Sequence, residues 1–266
     1  LYYMNYTILL HTHSDYSDLW PIINDYFKKY NFKKILTYDK IPVNTVSLPD
    51  CFDKYIQYDG SKKFSERLIP VLEEIEEEFV FLIYDVDIVI NIDEQALNTY
   101  IEIVKEHNID RVCCALFNGN GQVYKNELAL CNLNLPLKSP SNHFVPADCT
   151  SVIWKRNSFI NFLKLFPNET YSSMELDTNV VNYCKTKIKC YGIQYTPNLQ
   201  ILYNRGLTYC DKLSFLHITT KGKLLYPLKC YYSYENILKE IISKYNLKLE
   251  TQPAPSSCIN FTRLLI

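Results

Sequence analysis

The sequence predicts an α/β fold with a mostly parallel central sheet flanked by helices. Hydrophobic residues make up 47% of the 266, which is enough for a large core. The apolar run Phe79–Tyr84 is typical of a strand buried on both faces, and Asp85-Val86-Asp87 follows it directly. Strand-like and helix-like segments alternate through the first half, which indicates β/α units with parallel strands.

The elements of the first half follow from local patterns. Each strand is predicted from a short apolar run that ends in polar residues. These runs are Tyr6–Leu10, Lys34–Tyr38, Lys54–Tyr58, Phe79–Tyr84 and Asp110–Leu116. Apolar residues at helical spacing predict helices between them, and Pro21 and Asp93 suit helix starts. The carboxyl ends of these strands are therefore expected to meet at one ligand-binding edge.

The second half is less regular. The predicted strands are Leu128–Leu133, Ser151–Trp154 and Lys189–Gln194, and the predicted helices cover Phe159–Leu165, a stretch from Ser172 and Tyr234–Tyr245. We expect residues 199–225 to be rich in loops. The chain has no internal repeat and no linker-like stretch, so we expect a single domain over residues 4–266 that excludes the first three.

Composition excludes several classes of protein. The 28 basic and 29 acidic residues give a net charge of −1, which argues against a nucleic-acid partner bound by a basic surface. No stretch has the roughly 18–20 apolar residues of a membrane span, and no secretory segment follows Met4. The ten cysteines show no C-x-x-C spacing, which favours a reducing compartment. We therefore expect a soluble cytoplasmic protein.

Asp85 and Asp87 are the candidate metal ligands. Carboxylates this close repel one another unless a cation lies between them, and their oxygen atoms suit Mn²⁺ or Mg²⁺. Aspartate is also common in the turn after a strand. The tripeptide alone leaves both interpretations open.

The glycines exclude several phosphate-binding folds. Only six are present, and the first is Gly60. A dinucleotide-binding unit, a Walker A loop and a sugar-nucleotide pyrophosphorylase all need glycines after the first strand. Here the polar residues His11–Ser14 stand at that place.

Two families share a strand that ends in D-x-D. Asp85–Val89 matches the D-x-D-x-[TV] pattern of haloacid-dehalogenase-type phosphohydrolases, but that motif normally closes the first strand of its fold, and no later strand end supplies the second acidic pair. The chain resembles GT-A glycosyltransferases more closely, through a polar loop after strand one, β/α units and then D-x-D. The likeness is to small glycosyltransferase domains of bacterial surface-polysaccharide clusters and large DNA viruses. A catalytically silent sugar-nucleotide-binding module is a third alternative.

The resemblance implies a GT-A-type domain that takes a nucleoside-diphosphate sugar, with UDP the expected nucleotide. Residues 4–117 would form the nucleotide-sugar-binding, Rossmann-like half, and residues 118–266 the acceptor-side half with a C-terminal helix and tail. The candidate contacts to uridine and ribose are Thr12, His13, Ser14, Asp39 and Asp59, and those to the diphosphate or sugar are Lys63 and Arg67. Asp85 and Val86 would face the donor, and Asp85 and Asp87 the metal.

The resemblance also implies an acceptor side that binds a glycan or glycoconjugate hydroxyl. Asp177 would be the catalytic base and Glu175 would orient hydroxyls, although acidic residues also favour helix N-termini for electrostatic reasons. His217 is a candidate third metal ligand, with a buried core histidine as the alternative. Lys221 and Lys223 are candidate phosphate contacts. Whether transfer inverts or retains the anomeric configuration stays open.

Overall fold

A computed structural model describes residues 5–43, 47–135, 151–170, 174, 177–204, 207–220, 223–224 and 232–247. The helices are α1 (Trp20–Phe27), α2 (Phe64–Glu73), α3 (Glu94–Glu106), α4 (Arg156–Leu165), α5 (Thr178–Lys187) and α6 (Glu235–Tyr245). Short 3₁₀ helices cover Ser14–Leu19 and Tyr232–Tyr234. Within these residues, no helix combines the length and the apolar character needed to cross a membrane.

The strands form one large sheet and two smaller ones. In chain order they are β1 (Tyr6–His11), β2 (Lys34–Tyr38), β3 (Lys54–Gln57), β4 (Phe79–Tyr84), β5 (Asp87–Ile92), β6 (Arg111–Phe117), β7 (Val123–Lys125), β8 (Leu128–Asn132), β9 (Val152–Lys155), β10 (Cys190–Gln194), β11 (Ile201–Asn204), β12 (Leu207–Cys210), β13 (Leu213–His217), β14 (Thr219–Thr220) and β15 (Lys223–Leu224).

The large sheet confirms the predicted fold class. Its order is β3-β2-β1-β4-β9-β6-β10-β8-β7, and β8 and β9 run against the other strands. Every residue of β1, β4 and β6 is buried, as expected of strands covered on both faces. The result is a mixed α/β structure in which helices flank a mostly parallel central sheet.

The chain leaves the large sheet at Asp85-Val86. It then enters a four-stranded sheet of order β11-β12-β13-β5, in which β5 begins at Asp87. The stretch 199–225 was expected to be rich in loops, yet it contributes β11, β12 and β13 to this sheet. These strands are short, and β13 pairs with β5 from more than a hundred residues away, so local periodicity does not reveal them.

The carboxyl ends of β1, β4 and β6 lie at one edge of the large sheet, which we call the carboxyl edge. Helix α5 also begins there, because it leads to β10, whose first residue lies at the opposite edge. With ten residues, α5 is about 15 Å long and spans the height of the sheet. From this connectivity we expect Asp177, directly before α5, to lie on the side of the carboxyl edge.

Candidate functional site

Asp85 is buried at the carboxyl edge and is held by the loop that follows β1. Its Oδ2 accepts hydrogen bonds from the Thr12 hydroxyl at 2.7 Å and from the His13 N–H at 2.9 Å. Burial raises the pKa of Asp85 to about 7, and the nearby charge of Asp87 adds to this shift. The hydrogen bonds from the loop act in the opposite direction. The predicted meeting of the first loop with the D-x-D stretch is therefore present.

Thr12 links three parts of the site. Its hydroxyl donates to Asp85 and accepts a hydrogen bond from Trp20 Nε1 at 2.9 Å, and its carbonyl accepts one from the Tyr58 hydroxyl at 2.9 Å. The residue is only 1% exposed. Thr12 lies in the predicted nucleotide loop, but its side chain is engaged within the protein and positions Asp85.

Asp39, at the end of β2, organises the same loop. Its two carboxylate oxygens accept hydrogen bonds from the Ser14 N–H at 2.7 Å and the Ser14 hydroxyl at 2.9 Å. His13 Nε2 lies 3.3 Å from Asp39, while the Asp15 N–H donates to His13 Nδ1. Because Nδ1 accepts, the proton is assigned to Nε2. Burial acts to raise the pKa of Asp39, but hydrogen bonds from Ser14 and the Lys40 N–H, together with His13, hold the pKa below its ordinary value.

Asp87 and His217 lie beside each other on neighbouring strands of the four-stranded sheet. They are paired residues of β5 and β13, and His217 Nδ1 lies 2.7 Å from Asp87 Oδ1. Asp87 is 2% exposed, and His217 is partly buried. The sequence grouped these two side chains as metal ligands, and the structure brings them into contact.

Metal binding itself stays a prediction. Among the described residues, no group of three or more histidine, cysteine, aspartate or glutamate side chains is arranged to hold a metal ion. Mg²⁺ is commonly held by only one or two carboxylates together with substrate phosphates. Asp85 and Asp87 supply carboxylate donors of this kind, so the donor set fits such an ion.

Three of the predicted contacts lie after β3. Arg67 donates to the carbonyls of Lys62 at 2.7 Å and Gly60 at 2.5 Å, and so holds the turn before α2. Asp59 is exposed, and hydrogen bonds from Ser61 to its carboxylate lower its pKa. Lys63 precedes α2 with an exposed side chain. The hydrogen bonds of this turn involve the side chains of Asp59 and Arg67 but not that of Lys63.

His11 and Tyr58 belong to the site, although the sequence did not single them out. The two rings stack with centroids 4.8 Å apart, and Tyr84 and Phe64 meet His11 edge-on. Burial lowers the pKa of His11 to about 3, which keeps the imidazole neutral. The available signal was position, because His11 directly precedes Thr12 and Tyr58 directly follows β3.

Asp177 caps α5. Its Oδ1 accepts hydrogen bonds from the N–H groups of Asn179 at 2.8 Å and Val180 at 3.2 Å. Asp177 therefore has a structural role at the N-terminus of α5, in line with the alternative that acidic residues favour this end of a helix. Its role as a base stays a prediction. The Ser65 hydroxyl of α2 donates to the carbonyl of Phe166 at 2.8 Å, which joins α2 to the residue that follows α4.

Three of the remaining candidates fall wholly or partly outside the described part of the chain, and the fourth is Val86. Glu175 and Lys221 lie outside the described residues, and the side chain of Lys223 does as well, although its backbone belongs to β15. Val86 is partly buried, and its carbonyl accepts a hydrogen bond from the Ile218 N–H at 3.0 Å. Val86 thus joins the D-x-D stretch to the segment that follows His217.

No protein-family model and no curated protein matches the sequence. The chain is similar to the solved structure of S. aureus TarS, with a TM-score of 0.45 and 12% identity over 77% of this chain and 36% of that one. For S. aureus TarS 1–349 in complex with UDP-GlcNAc, the TM-score is 0.43 and the identity 10%, over 94% of this chain and 68% of that one. For a UDP-glucose pyrophosphorylase complexed with UDP-glucose, the values are 0.40 and 10%, over 72% and 91%.

The chain thus spans about a third of the first of these structures and 60% of S. aureus TarS 1–349 as solved alone. Each of these TM-scores is below 0.5, and each identity is at most 14%. Two of these structures hold a sugar nucleotide, UDP-GlcNAc in one and UDP-glucose in the other, but at such scores the likeness assigns neither an activity nor a donor to this chain.

Proposed function

We propose that the protein is a metal-dependent glycosyltransferase. It would move a sugar from a nucleoside-diphosphate sugar, with UDP as the expected nucleotide, to a hydroxyl of a glycan or glycoconjugate. The observation that carries the proposal is the junction of Asp85 and Asp87, two buried carboxylates between the large and small sheets, one of them bound by the loop after β1. This edge is where open α/β sheets bind nucleotides.

The carboxylates call for a cation if this edge is to accept a diphosphate, because anions of the donor and the protein would otherwise repel. A bound Mn²⁺ or Mg²⁺ would act as a Lewis acid that stabilises charge on the departing nucleoside diphosphate. Asp87 Oδ1 and His217 Nδ1 lie 2.7 Å apart, which is a hydrogen-bond distance, so His217 would orient the Asp87 carboxylate for the ion.

The loop after β1 is the proposed nucleotide site. Asp39, Ser14 and Asp85 fix its backbone through hydrogen bonds, so binding would not have to order it. The side chain of His13 is 35% exposed, which leaves part of its ring open to a nucleotide base. Lys63, with its exposed ammonium group, is the candidate contact to the diphosphate.

Asp177 is the proposed base that removes the proton from the acceptor hydroxyl, with Glu175 orienting hydroxyls. Asp177 lies directly before α5, and a carboxylate is a common general base for a hydroxyl proton. The cap uses Oδ1 for both of its hydrogen bonds. A residue in this place can therefore serve as cap and base at once.

The phosphohydrolase alternative gives Asp85 the role of a phosphoryl-accepting nucleophile. Its side chain is instead buried, and Oδ2 already accepts two hydrogen bonds from the neighbouring loop. These contacts suit a carboxylate that positions other groups better than one that attacks a substrate.

Titration calorimetry with UDP tests the proposal. The unaltered protein should bind UDP in the presence of Mn²⁺ and lose that binding when the metal is removed with a chelator. Asp87→Asn should weaken Mn²⁺-dependent binding at least tenfold, since it removes a charged ligand while preserving side-chain shape.

Asp50→Asn is the matched control, because Asp50 is an exposed aspartate before β3 and has no role in the proposed donor site. It should bind UDP as the unaltered protein does. Absence of any Mn²⁺-dependent binding of UDP or another nucleoside diphosphate would overturn the proposal.

A further inference from the structure

The loop of residues 118–122 is tied by hydrogen bonds at the carboxyl edge, on the acceptor-side half. It follows β6, and the Gly119 N–H donates to the buried Gln194 side chain at 3.1 Å. The carbonyl of Asn120 accepts a hydrogen bond from the Asn132 N–H at 2.9 Å. A loop fixed on two sides is preorganised, so a ligand that binds it does not have to supply the free energy of ordering.

A bulge sets the direction in which β6 enters this loop. Along β10, Gly192 pairs with Cys113 but the next residue, Ile193, pairs with Leu116, so β6 carries extra residues at this point. The ring of Phe117 occupies the space above Gly192, where a Cβ atom would lie 2.2 Å from it. Bulges of this kind often re-aim residues beside functional sites.

Strand register places the end of β10 level with the D-x-D stretch. Leu82 of β4 and Cys113 of β6 pair with the same residue of β9, and Cys113 pairs with Gly192 of β10. Asp85 lies three residues beyond Leu82, and Tyr195 lies three residues beyond Gly192. Tyr195 therefore stands at the same height along the sheet as Asp85.

The distances from Asp85 to Tyr195 and Asn118 across the sheet leave room for an acceptor sugar beside the transferred one. Strands lie about 4.8 Å apart, so Tyr195, three strands from β4, is roughly 15 Å from Asp85 across the sheet. Asn118 directly follows the end of β6, two strands from β4, at about 10 Å. A diphosphate and the transferred sugar would fill the nearer part of this distance, which leaves the acceptor to the farther part.

The exposed groups at this place have the chemistry of a carbohydrate site. Tyr195 is 41% exposed and presents an aromatic ring, and Asn118 presents an amide with donors and an acceptor. Neither residues 118–122 nor residues 195–198 include a charged side chain. An aromatic face with uncharged hydrogen-bonding groups fits the C–H face and hydroxyls of a neutral sugar better than a phosphate or an acidic peptide.

We infer that Tyr195 and Asn118 form a binding subsite for a neutral sugar unit of the acceptor, held in place by Gln194 and the bulge of β6. The inference rests on the proposed function and names the chemical class of the acceptor at that same site. Tyr195 would stack on the sugar ring, and the Asn118 amide would exchange hydrogen bonds with its hydroxyls.

Binding of neutral oligosaccharides tests the inference. Cello-, chito-, malto-, manno- and galacto-oligosaccharides are titrated into the full chain with UDP and Mn²⁺ present, and saturation-transfer-difference NMR reports binding. At least one series should bind, Tyr195→Ala should weaken that binding at least tenfold, and Tyr195→Phe should retain it because the ring remains. Asn118→Ala should weaken it severalfold.

Tyr55→Ala is the matched control. Tyr55 is 39% exposed and lies on β3, at the opposite end of the large sheet. It should leave oligosaccharide binding unchanged, and all variants should bind UDP and Mn²⁺ as the unaltered protein does.

Two results would overturn this inference but leave the proposed function standing. In the first, the unaltered protein binds UDP with Mn²⁺ but none of the oligosaccharides. In the second, Tyr195→Ala binds the oligosaccharides as well as Tyr55→Ala does. Failure of the unaltered protein to bind any nucleoside diphosphate with Mn²⁺ overturns the proposed function, and the inference with it.

Discussion

Thr12 is the residue on which the geometry of Asp85 depends most directly. Its hydroxyl donates to the Asp85 carboxylate and accepts from the Trp20 indole in a fully buried setting. Thr12→Val keeps the shape but removes the hydroxyl, so a buried indole N–H and a buried carboxylate both lose a partner. We expect a loss of about 1–3 kcal/mol in the free energy of unfolding, measured by urea denaturation.

Thr12→Ser supplies the control for that measurement. It keeps the hydroxyl and removes one methyl group, so its loss of stability should be smaller than that of Thr12→Val. Equal losses for the two variants would mean that packing of the methyl group, and not the pair of hydrogen bonds, is what Thr12 contributes.

Residue identities at strand ends were predictable, but the use made of each side chain was not. Asp39, Asp85 and Thr12 follow apolar runs, and that position was enough to select them. The nucleotide contacts predicted for Thr12 and Asp39 stay predictions, and the structure adds that Thr12 hydrogen-bonds to Asp85 and Asp39 to Ser14. Such partners come from neighbouring strands distant in sequence, so no local pattern specifies them.

At the level of elements, Asp177 offers a way to separate a structural role from a chemical one. Its Oδ1 caps α5 through two N–H groups. Asp177→Ala removes the cap and should cost about 0.5–2 kcal/mol in the free energy of unfolding. Asp177→Asn should keep the cap and the stability, because asparagine is an equally good N-cap residue.

The same two variants then test the proposed base. With a UDP-sugar and an acceptor, Asp177→Asn should retain donor binding while transfer falls by about 10²–10⁴-fold, the contribution typical of general base catalysis. Turnover that stays unchanged in a stable Asp177→Asn protein would assign the role to another residue.

Prediction of elements succeeded where a strand or helix is specified by its own residues. Phe79–Tyr84 was predicted with its exact bounds, since a fully apolar run has few alternatives to a buried strand. Strands β11 to β13 were missed because they are short and partly polar, and because their pairing with β5 depends on contacts distant in the chain. The small sheet that carries His217 was therefore not predictable as a unit.

At the scale of the whole molecule, α6 is fastened to α1. Asp25 of α1 accepts hydrogen bonds from Lys244 at 2.6 Å and from Lys28 at 2.6 Å, and also from the Tyr245 hydroxyl. The interactions with Lys244, Lys28 and Tyr245 hold the pKa of Asp25 well below its ordinary value of 3.8. The ionised form of Asp25 therefore favours the folded state.

This shift predicts how stability changes with pH. A carboxyl group whose pKa is lower in the folded state contributes stability above its unfolded pKa, and that contribution is lost as pH falls through the folded pKa. Asp25→Asn should lower the urea midpoint at pH 7, and the difference from the unaltered protein should shrink below about pH 4. Glu235→Gln, which breaks only an exposed pair with Lys239 inside α6, should change the midpoint little at either pH.

The outcome that contradicts this prediction is a constant difference between Asp25→Asn and the unaltered protein from pH 7 to pH 3. It would show that α6 is held to α1 by packing and neutral hydrogen bonds, independently of the charge on Asp25.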